Sequence, residues 1–352
     1  MKIRVAILEY DQNYRERLVS ILETKYADKL DLYIFSGEEQ LYEHLTENIV
    51  DVILADSETS LEEVIDSFHV MLAYLTNSMN IAELFGRPAI CKYQKADSIY
   101  RQILALYAET APDLKMKTGD GKAKLVAFVS AQGGAGTSTV AAAYARRLAS
   151  LHRKVFYLNL EAFGDTSLYF EAEGTASFSD VIFTLKKGRK NNFLLKLESA
   201  VKTDTSGVEF FSSCPSACDL QELKADNIGL LLEGISQMKD YDEIVVDLSG
   251  EYNSRMLFLM KACADKIVCV ADGQAAGMKK LSRFCEVLSI EEKRSKTDIL
   301  GKMVLLYNRT GTKQENSFQT PLSVIGKIPE KASPSQKALM DKLSEMTILE
   351  RI

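Results

Sequence analysis

The chain has 352 residues, too many for one ordinary hydrophobic core and comfortable for two, because single cores seldom grow past about 250 to 300 residues. Hydrophobic residues make up 46% and charged residues 26%, a balance that excludes disordered and fibrous classes. The net charge of -6 argues against a protein whose whole surface seeks nucleic acid.

From the N-terminus, short apolar runs such as "VAIL", "DLYIF", "VDVILAD" and "PAICKY" alternate with helix-like stretches such as "NYRERLVSILETKY". Acidic residues cluster at strand ends: Glu9 and Asp11 flank Tyr10 after the first run, and Asp56 closes "VDVILAD". Thr76 and Lys92 follow at later strand ends. This set resembles the two-component receiver fold, a flavodoxin-like α/β domain, with Asp56 at the phospho-acceptor position. Tyr10 stands where the family carries a magnesium-binding aspartate, so the resemblance implies an acceptor that has lost its metal and is inactive. The spacings from Asp56 to Thr76 and from Thr76 to Lys92 are too short for full crossovers, so a helix is shortened or lost.

Apolar periodicity stops in "AETAPDLKMKTGDGKAK", where Pro, Gly, Asp and Lys take over. We read residues 1–110 as the first domain, 111–122 as a linker and 123–352 as the second domain. The second contains "KLVAFVS", "KVFYLNL", "VEFFS", "DEIVVDLS", "DKIVCVAD", "KMVLLYN" and "PLSVIGKI", separated by helical segments. Val/Ile/Leu runs spaced for crossover helices predict a mostly parallel sheet with helices on both faces.

Within it, "KLVAFVSAQGGAGTSTVAAAYARRLAS" reads as strand, glycine-rich turn and helix. Gly133, Gly134 and Gly136 let backbone N–H groups converge on phosphate oxygens, and the helix N-terminus adds partial positive charge. The turn resembles the deviant P-loop of MinD/ParA ATPases, with Gln132, Gly133, Gly134, Ala135, Gly136, Thr137, Ser138 and Thr139 as the nucleotide-binding stretch. Gln132 and Thr137 stand where that family has lysines, the first of which reaches across a dimer.

The resemblance further implies magnesium held by Ser138 and, through water, by Asp247. Asn159 and Glu161 take the places of two switch aspartates, which leaves Glu161 as the remaining catalytic candidate, a lengthened carboxylate that places water poorly. Asn308, Arg309 and Pro329 fall where the family surrounds adenine, so ATP with Mg2+ is the expected cofactor pair. Arg255 is a candidate stand-in cation. Loss of both lysines is expected to hurt hydrolysis more than binding, leaving at most slow turnover.

A degenerate receiver ahead of a MinD/ParA-like domain resembles TadZ/CpaE proteins, as does "NLEAFGDTSLYF" with Phe163, Gly164 and Asp165. That family implies a cytoplasmic, ATP-bound homodimer at the cell pole that recruits secretion ATPase components or reads a polar marker during tight-adherence (type IVb) pilus assembly. Two other classes stay open. A partition ATPase acting on DNA has only "KKGRK", Lys186 to Lys190, as a dense basic run, better explained as a solvated loop. A response regulator needs Asp56 phosphorylated.

Three smaller expectations complete the reading. No segment reads as a signal peptide or membrane span, since the long run "MLFLMKACADKIVCVA" is cut by Lys261, Asp265 and Lys266. Cys214 and Cys218 form the one close cysteine couple, and reduced thiols explain them better than zinc does. In "ASPSQKALMDKLSEM", Ser333 is expected to cap a docked helix with Pro334 in its first turn and Gln336 completing a capping box.

Overall fold

The computed structural model describes residues 2–61, 68, 70–111, 123–174, 176–186, 192–248, 250, 252–311, 320–333 and 335–352. Contacts divide the chain into two compact units: Met1–Lys115 with Lys190–Ser199, and Met116–Arg189 with Ala200–Ile352.

The first unit holds strands β1 (Ile3–Leu8), β2 (Leu30–Phe35), β3 (Val52–Asp56), β4 (Met71–Thr76), β5 (Glu83–Leu84) and β6 (Arg87–Cys91), in the order β2-β1-β3-β4-β6-β5. All pairings are parallel except β5 with β6. Because successive side chains point to opposite faces, each central strand feeds two cores. Val5, Ile7, Val52 and Leu54 pack on one face with helices Gln12–Tyr26 and Ala96–Thr110, while Ala6, Leu8, Ile53 and Ala55 pack on the other with Leu41 and Leu45 of helix Glu38–Glu47. Between β4 and β6 the expected crossover helix is lost, and the short hairpin of β5 with β6 takes its place. The connection after Asp56 lies partly outside the described residues.

This unit also takes in helix Phe193–Ala200 from far along the chain. Asn192 donates to the carbonyls of Ala108 (3.3 Å) and Ala111 (2.7 Å). Lys196 pairs with Glu109, and Glu198 accepts from Lys29 and Tyr100. Leu195 packs against the same core as Tyr100, whose ring stacks on Tyr26 at 3.8 Å.

The second unit holds β7 (Lys124–Val129), β8 (Val155–Asn159), β9 (Val201–Thr203), β10 (Glu209–Phe211), β11 (Glu243–Asp247), β12 (Lys266–Ala271), β13 (Met303–Thr310) and β14 (Ser323–Pro329). Their order is β14-β13-β12-β7-β11-β8-β10-β9, parallel except at the edge, where β9 runs antiparallel to β10. Parallel strands buried on both faces need continuous apolar runs, which is what "LVAFV", "VFYLN" and "IVCVA" supply. Helix Thr137–Ser150 lies on the sheet through Val140, Ala141, Tyr144, Ala145 and Leu148, its alanines allowing close approach. Truncating the fully buried Phe128 beneath it to alanine would cost about 3–5 kcal/mol.

Helix Gln336–Ser344 docks on that same core through Met340 and Leu343, with Leu339 and Met346 alongside. Its cap is Ser335, whose hydroxyl accepts from the Ala338 amide at 3.2 Å, and not Ser333, whose buried hydroxyl has no partner. The helix starts later than expected, so Gln336 opens it rather than completing a capping box, and Pro334 lies outside the described residues. Among the described residues no helix is long and apolar enough to cross a membrane.

Candidate functional site

β7 ends at Val129, and residues 130–136, beginning with the buried Ser130, turn the chain into helix Thr137–Ser150. Gly134 and Gly136 sit at φ +79° and +82°, left-handed values that side-chain-bearing residues rarely adopt. Gly136 is the helix N-cap and brings no capping side chain, so the first-turn N–H groups keep their polarity for a ligand. They border a cavity of about 350 Å³ lined by Gln132 to Thr139 without a break, with Glu161 on the facing wall.

Two neighbours on β13 hold this loop from behind. Asn308 donates from Nδ2 to the Ala135 carbonyl at 2.8 Å, and Arg309 donates from Nη1 to the Gly134 carbonyl at 2.9 Å. With carbonyls drawn backward, the alternating N–H groups are free to face the cavity. A Cβ at position 136 would overlap Asn308 Nδ2, so only glycine fits between helix and strand. Arg309 also lines the cavity and, among the described residues, is the one cationic side chain there. Asn308 and Pro329 do not line it. Arg255 does not either; its guanidinium donates to the Leu220 carbonyl.

The chemistry concentrates on three oxygen-bearing side chains, Ser138, Glu161 and Asp247. Ser138 Oγ donates to Glu161 Oε2 at 3.0 Å, and Glu161's own amide is fixed by Asn159 Oδ1 at 2.8 Å. Behind them, at the end of β11, Asp247 is fully buried. Its Oδ2 accepts from Tyr157 at 2.8 Å, while Oδ1 has no hydrogen-bond partner. One hydroxyl carries one proton, and Ser138 spends it on Glu161. Burial pushes the Asp247 carboxyl up to about 7, reinforced by the Glu161 charge and opposed by the Tyr157 phenol; the Ser138 hydroxyl, an alternative donor to Asp247, gives its proton to Glu161 instead. An all-oxygen set with one buried carboxylate oxygen unpartnered fits a hard divalent cation of the magnesium kind. Such an ion, when bound, would neutralise phosphate charge; Ser138 and Asp247 are the groups placed to hold it, Asp247 from behind the cavity wall.

The acceptor region of the first unit is built differently. Asp56, at the end of β3, and Glu9, after β1, are both buried, and the Lys92 ammonium lies 2.9 Å from Asp56 Oδ2 and 2.8 Å from Glu9 Oε2. Burial alone would raise Asp56, but hydrogen bonds from Glu9, Lys92 and the Glu58 amide outweigh it and hold this carboxyl below its ordinary range. Glu9, more deeply buried, is pushed up. Lys92, pressed down by burial, is held up by the two carboxylates. Asp11 is turned to capping helix Gln12–Tyr26, accepting from the Tyr14 amide at 3.1 Å, and Tyr10 is exposed and reaches Glu38. Thr76 donates to the Ser78 carbonyl. Among the described residues no three metal-ligating side chains gather into a cluster, and Cys214 and Cys218 are free thiols.

A family model described as "TadZ-like, receiver domain" matches residues 1–108. Over these residues the first unit is similar to a TadZ-like receiver domain. Comparison with curated proteins gives no match. Among solved structures, a ParA family ATPase from Chlorobium tepidum TLS superposes with a TM-score of 0.53 at 17% identity, covering 65% of this chain and 92% of that one. A share of that size exceeds what the TadZ-like receiver can supply, and the likeness gives the second unit the fold of a ParA-type P-loop protein. The septum site-determining protein MinD from Pyrococcus horikoshii OT3, solved with Mg-ADP, is similar at a TM-score of 0.46 and 17% identity, covering 64% of this chain and 95% of that one.

Sequence reading missed several groups that complete the second unit's site. Tyr157 sits inside an apolar strand where nothing marks its hydroxyl as the partner of a carboxylate 90 residues away. Leu168, Tyr169 and Gly250 line the cavity with Phe163, Gly164 and Asp165. Gly164 is required there, since a Cβ would lie 2.8 Å from Asn159 Oδ1.

Proposed function

We propose that this chain binds MgATP in the cavity of its second unit, persists in the bound state with at most slow hydrolysis, and acts as a dimerising localisation factor for a tight-adherence (type IVb) pilus or related secretion machine. The observation that carries the nucleotide part is the uncapped, doubly left-handed glycine loop facing the same cavity as Ser138, with the unpartnered Asp247 oxygen behind it. Amides, hydroxyl and buried carboxylate supply both halves of a metal–triphosphate site, while Gln132 and Thr137 bring no ammonium to the developing phosphate charge. Glu161, already occupied by the Ser138 hydroxyl, is poorly set to order attacking water. Asn308, Arg309 and Pro329 remain the residues proposed around adenine, and Arg309 is the cation nearest the loop.

The pilus role rests on the TadZ-like receiver domain, whose acceptor Asp56 is neutralised from within by Lys92 and which serves as a docking module rather than a phosphorylation switch. Of the basic run that a DNA-acting partition role would use, the described Lys186 pairs with Glu222, and Lys187 to Lys190 lie outside the described residues. Titration calorimetry of the full chain tests the reading. ATP with magnesium is expected to release heat, ATP with EDTA much less and GTP less still, with sedimentation reporting a nucleotide-dependent dimer. Absence of heat with MgATP on folded protein would overturn it.

A further inference from the structure

Gln132 opens the phosphate loop, and the family resemblance casts its position as one that reaches across to a second subunit. The structure places its side chain elsewhere. The amide tip lies over the Cα of Gly277, in the first turn of helix Ala275–Ser295. A Cβ at position 277 would overlap Gln132 Oε1 outright, sit 2.5 Å from Gln132 Cδ and 2.9 Å from Asp272 Oδ1. Gly277 is buried and has no left-handed φ, so neither a turn nor exposure explains it. Glycine inside a helix is unfavourable compared with alanine, and the seat it provides for Gln132 is the compensation visible here.

The rest of this junction is tied in the same direction. Ser130 Oγ donates to the Val270 carbonyl at 2.8 Å and accepts from the Gln132 amide at 3.2 Å. Asp272 Oδ1, converging on Gly277 beside the Gln132 tip, accepts from the Gln274 amide at 2.9 Å, fixing the turn that starts the helix. The phosphate loop is thus fastened at its first residues to the end of β12 and to the helix after it, within one chain.

We propose that Gln132 is a positioning residue acting within its own subunit: seated on Gly277, it holds the start of the phosphate loop so that its amides face the triphosphate tail, and it makes no cross-subunit contact. The inference rests on the nucleotide reading above and deepens it. Gln132→Ala removes the tip, and Gly277→Ala evicts it while sparing the fold, because the obstructing atoms, on Gln132 and on Asp272, all belong to the ends of side chains and none to the backbone.

The test is a double-mutant cycle on the full chain. Each single variant is expected to weaken MgATP binding by roughly three- to tenfold in calorimetry, and the double variant to be no weaker than either single, since both delete one seat. In nucleotide-free protein, hydrogen exchange of the 132–136 amides is expected to quicken in both singles while the melting temperature stays put. Multiplicative losses in the double, or unchanged affinity and exchange in Gly277→Ala, would overturn the proposal. So would loss of nucleotide-dependent dimer in Gln132→Ala with affinity intact, which would place the side chain across the interface. If the parent chain takes up no MgATP, the nucleotide reading itself fails, and the exchange measurement, which needs no ligand, still reports on the seat.

Discussion

Two carboxylate sites, each at the C-terminal ends of parallel strands, meet the cost of buried charge in opposite ways. In the TadZ-like receiver domain, Asp56 and Glu9 carry their own cation, Lys92, within 3 Å of both. In the P-loop unit, Asp247 is as deeply buried and has a phenol on one oxygen and nothing on the other. The first site is closed by an ion pair already resident in the chain, and the second is left incomplete in a way that an incoming cation relieves. Burial of a carboxylate is therefore not by itself a sign of a working site; what matters is whether the compensating charge is resident or absent.

The largest effect that would break this contrast belongs to Lys92. Replacing it by methionine leaves two buried carboxyl groups with backbone amides and each other but no cation, and is expected to lower the stability of the first unit by about 3–5 kcal/mol in urea denaturation. A loss under about 1 kcal/mol would mean that Lys92 contributes no more than an exposed ion pair does.

A smaller and opposite effect is expected at Asp247. Its folded value of about 7 lies above the ordinary carboxyl value, so the neutral form is the one the fold prefers. Stability from this group is fully present below the unfolded value near 4 and drains away as pH rises toward and through 7. Asp247→Asn should therefore raise the melting temperature of nucleotide-free protein at pH 8, by roughly 4–8 °C for about 2 kcal/mol, and flatten its fall between pH 5 and 8. The same variant should bind MgATP worse. A variant that melts lower at pH 8 would show that the carboxylate is compensated after all.

The smallest expected effect is none. Acetyl phosphate with magnesium, followed by intact mass measurement, should leave the chain without an added phosphoryl group, because Asp56 is already engaged by Lys92 and the Asp11 carboxylate is spent on a helix cap. A stoichiometric adduct would erase the difference between the two sites.

The sheets were legible because their signals are local. Runs such as "LVAFV" and "IVCVA" announce buried parallel strands, and Gly133, Gly134 and Gly136 with Ser138 announce an anion-binding turn within a few residues. Partnerships across long sequence separations were not legible. Tyr157 finds Asp247 over 90 residues, Lys92 finds Glu9 over 83, and Gln132 finds Gly277 through packing alone. The cap of the last helix slipped from Ser333 to Ser335 because two serines within one turn present the same chemistry, and only the helix start decides between them. Arg255 was the candidate stand-in cation, yet its guanidinium serves the Leu220 carbonyl and Arg309 takes the place beside the loop.

The first unit is discontinuous, completed by helix Phe193–Ala200, and this has a consequence for biogenesis. A chain emerging from the ribosome can pair β1 to β6 early, but the flank formed by Lys29, Tyr100 and Glu109 stays bare until residue 199 has been synthesised. By then β7 and β8 of the second unit are already out, so the two units mature together rather than in series. Truncation just after Thr110 yields a fragment missing only helix Phe193–Ala200, and a nascent-chain proteolysis series should show protection of that region arriving only once the later segment is exposed.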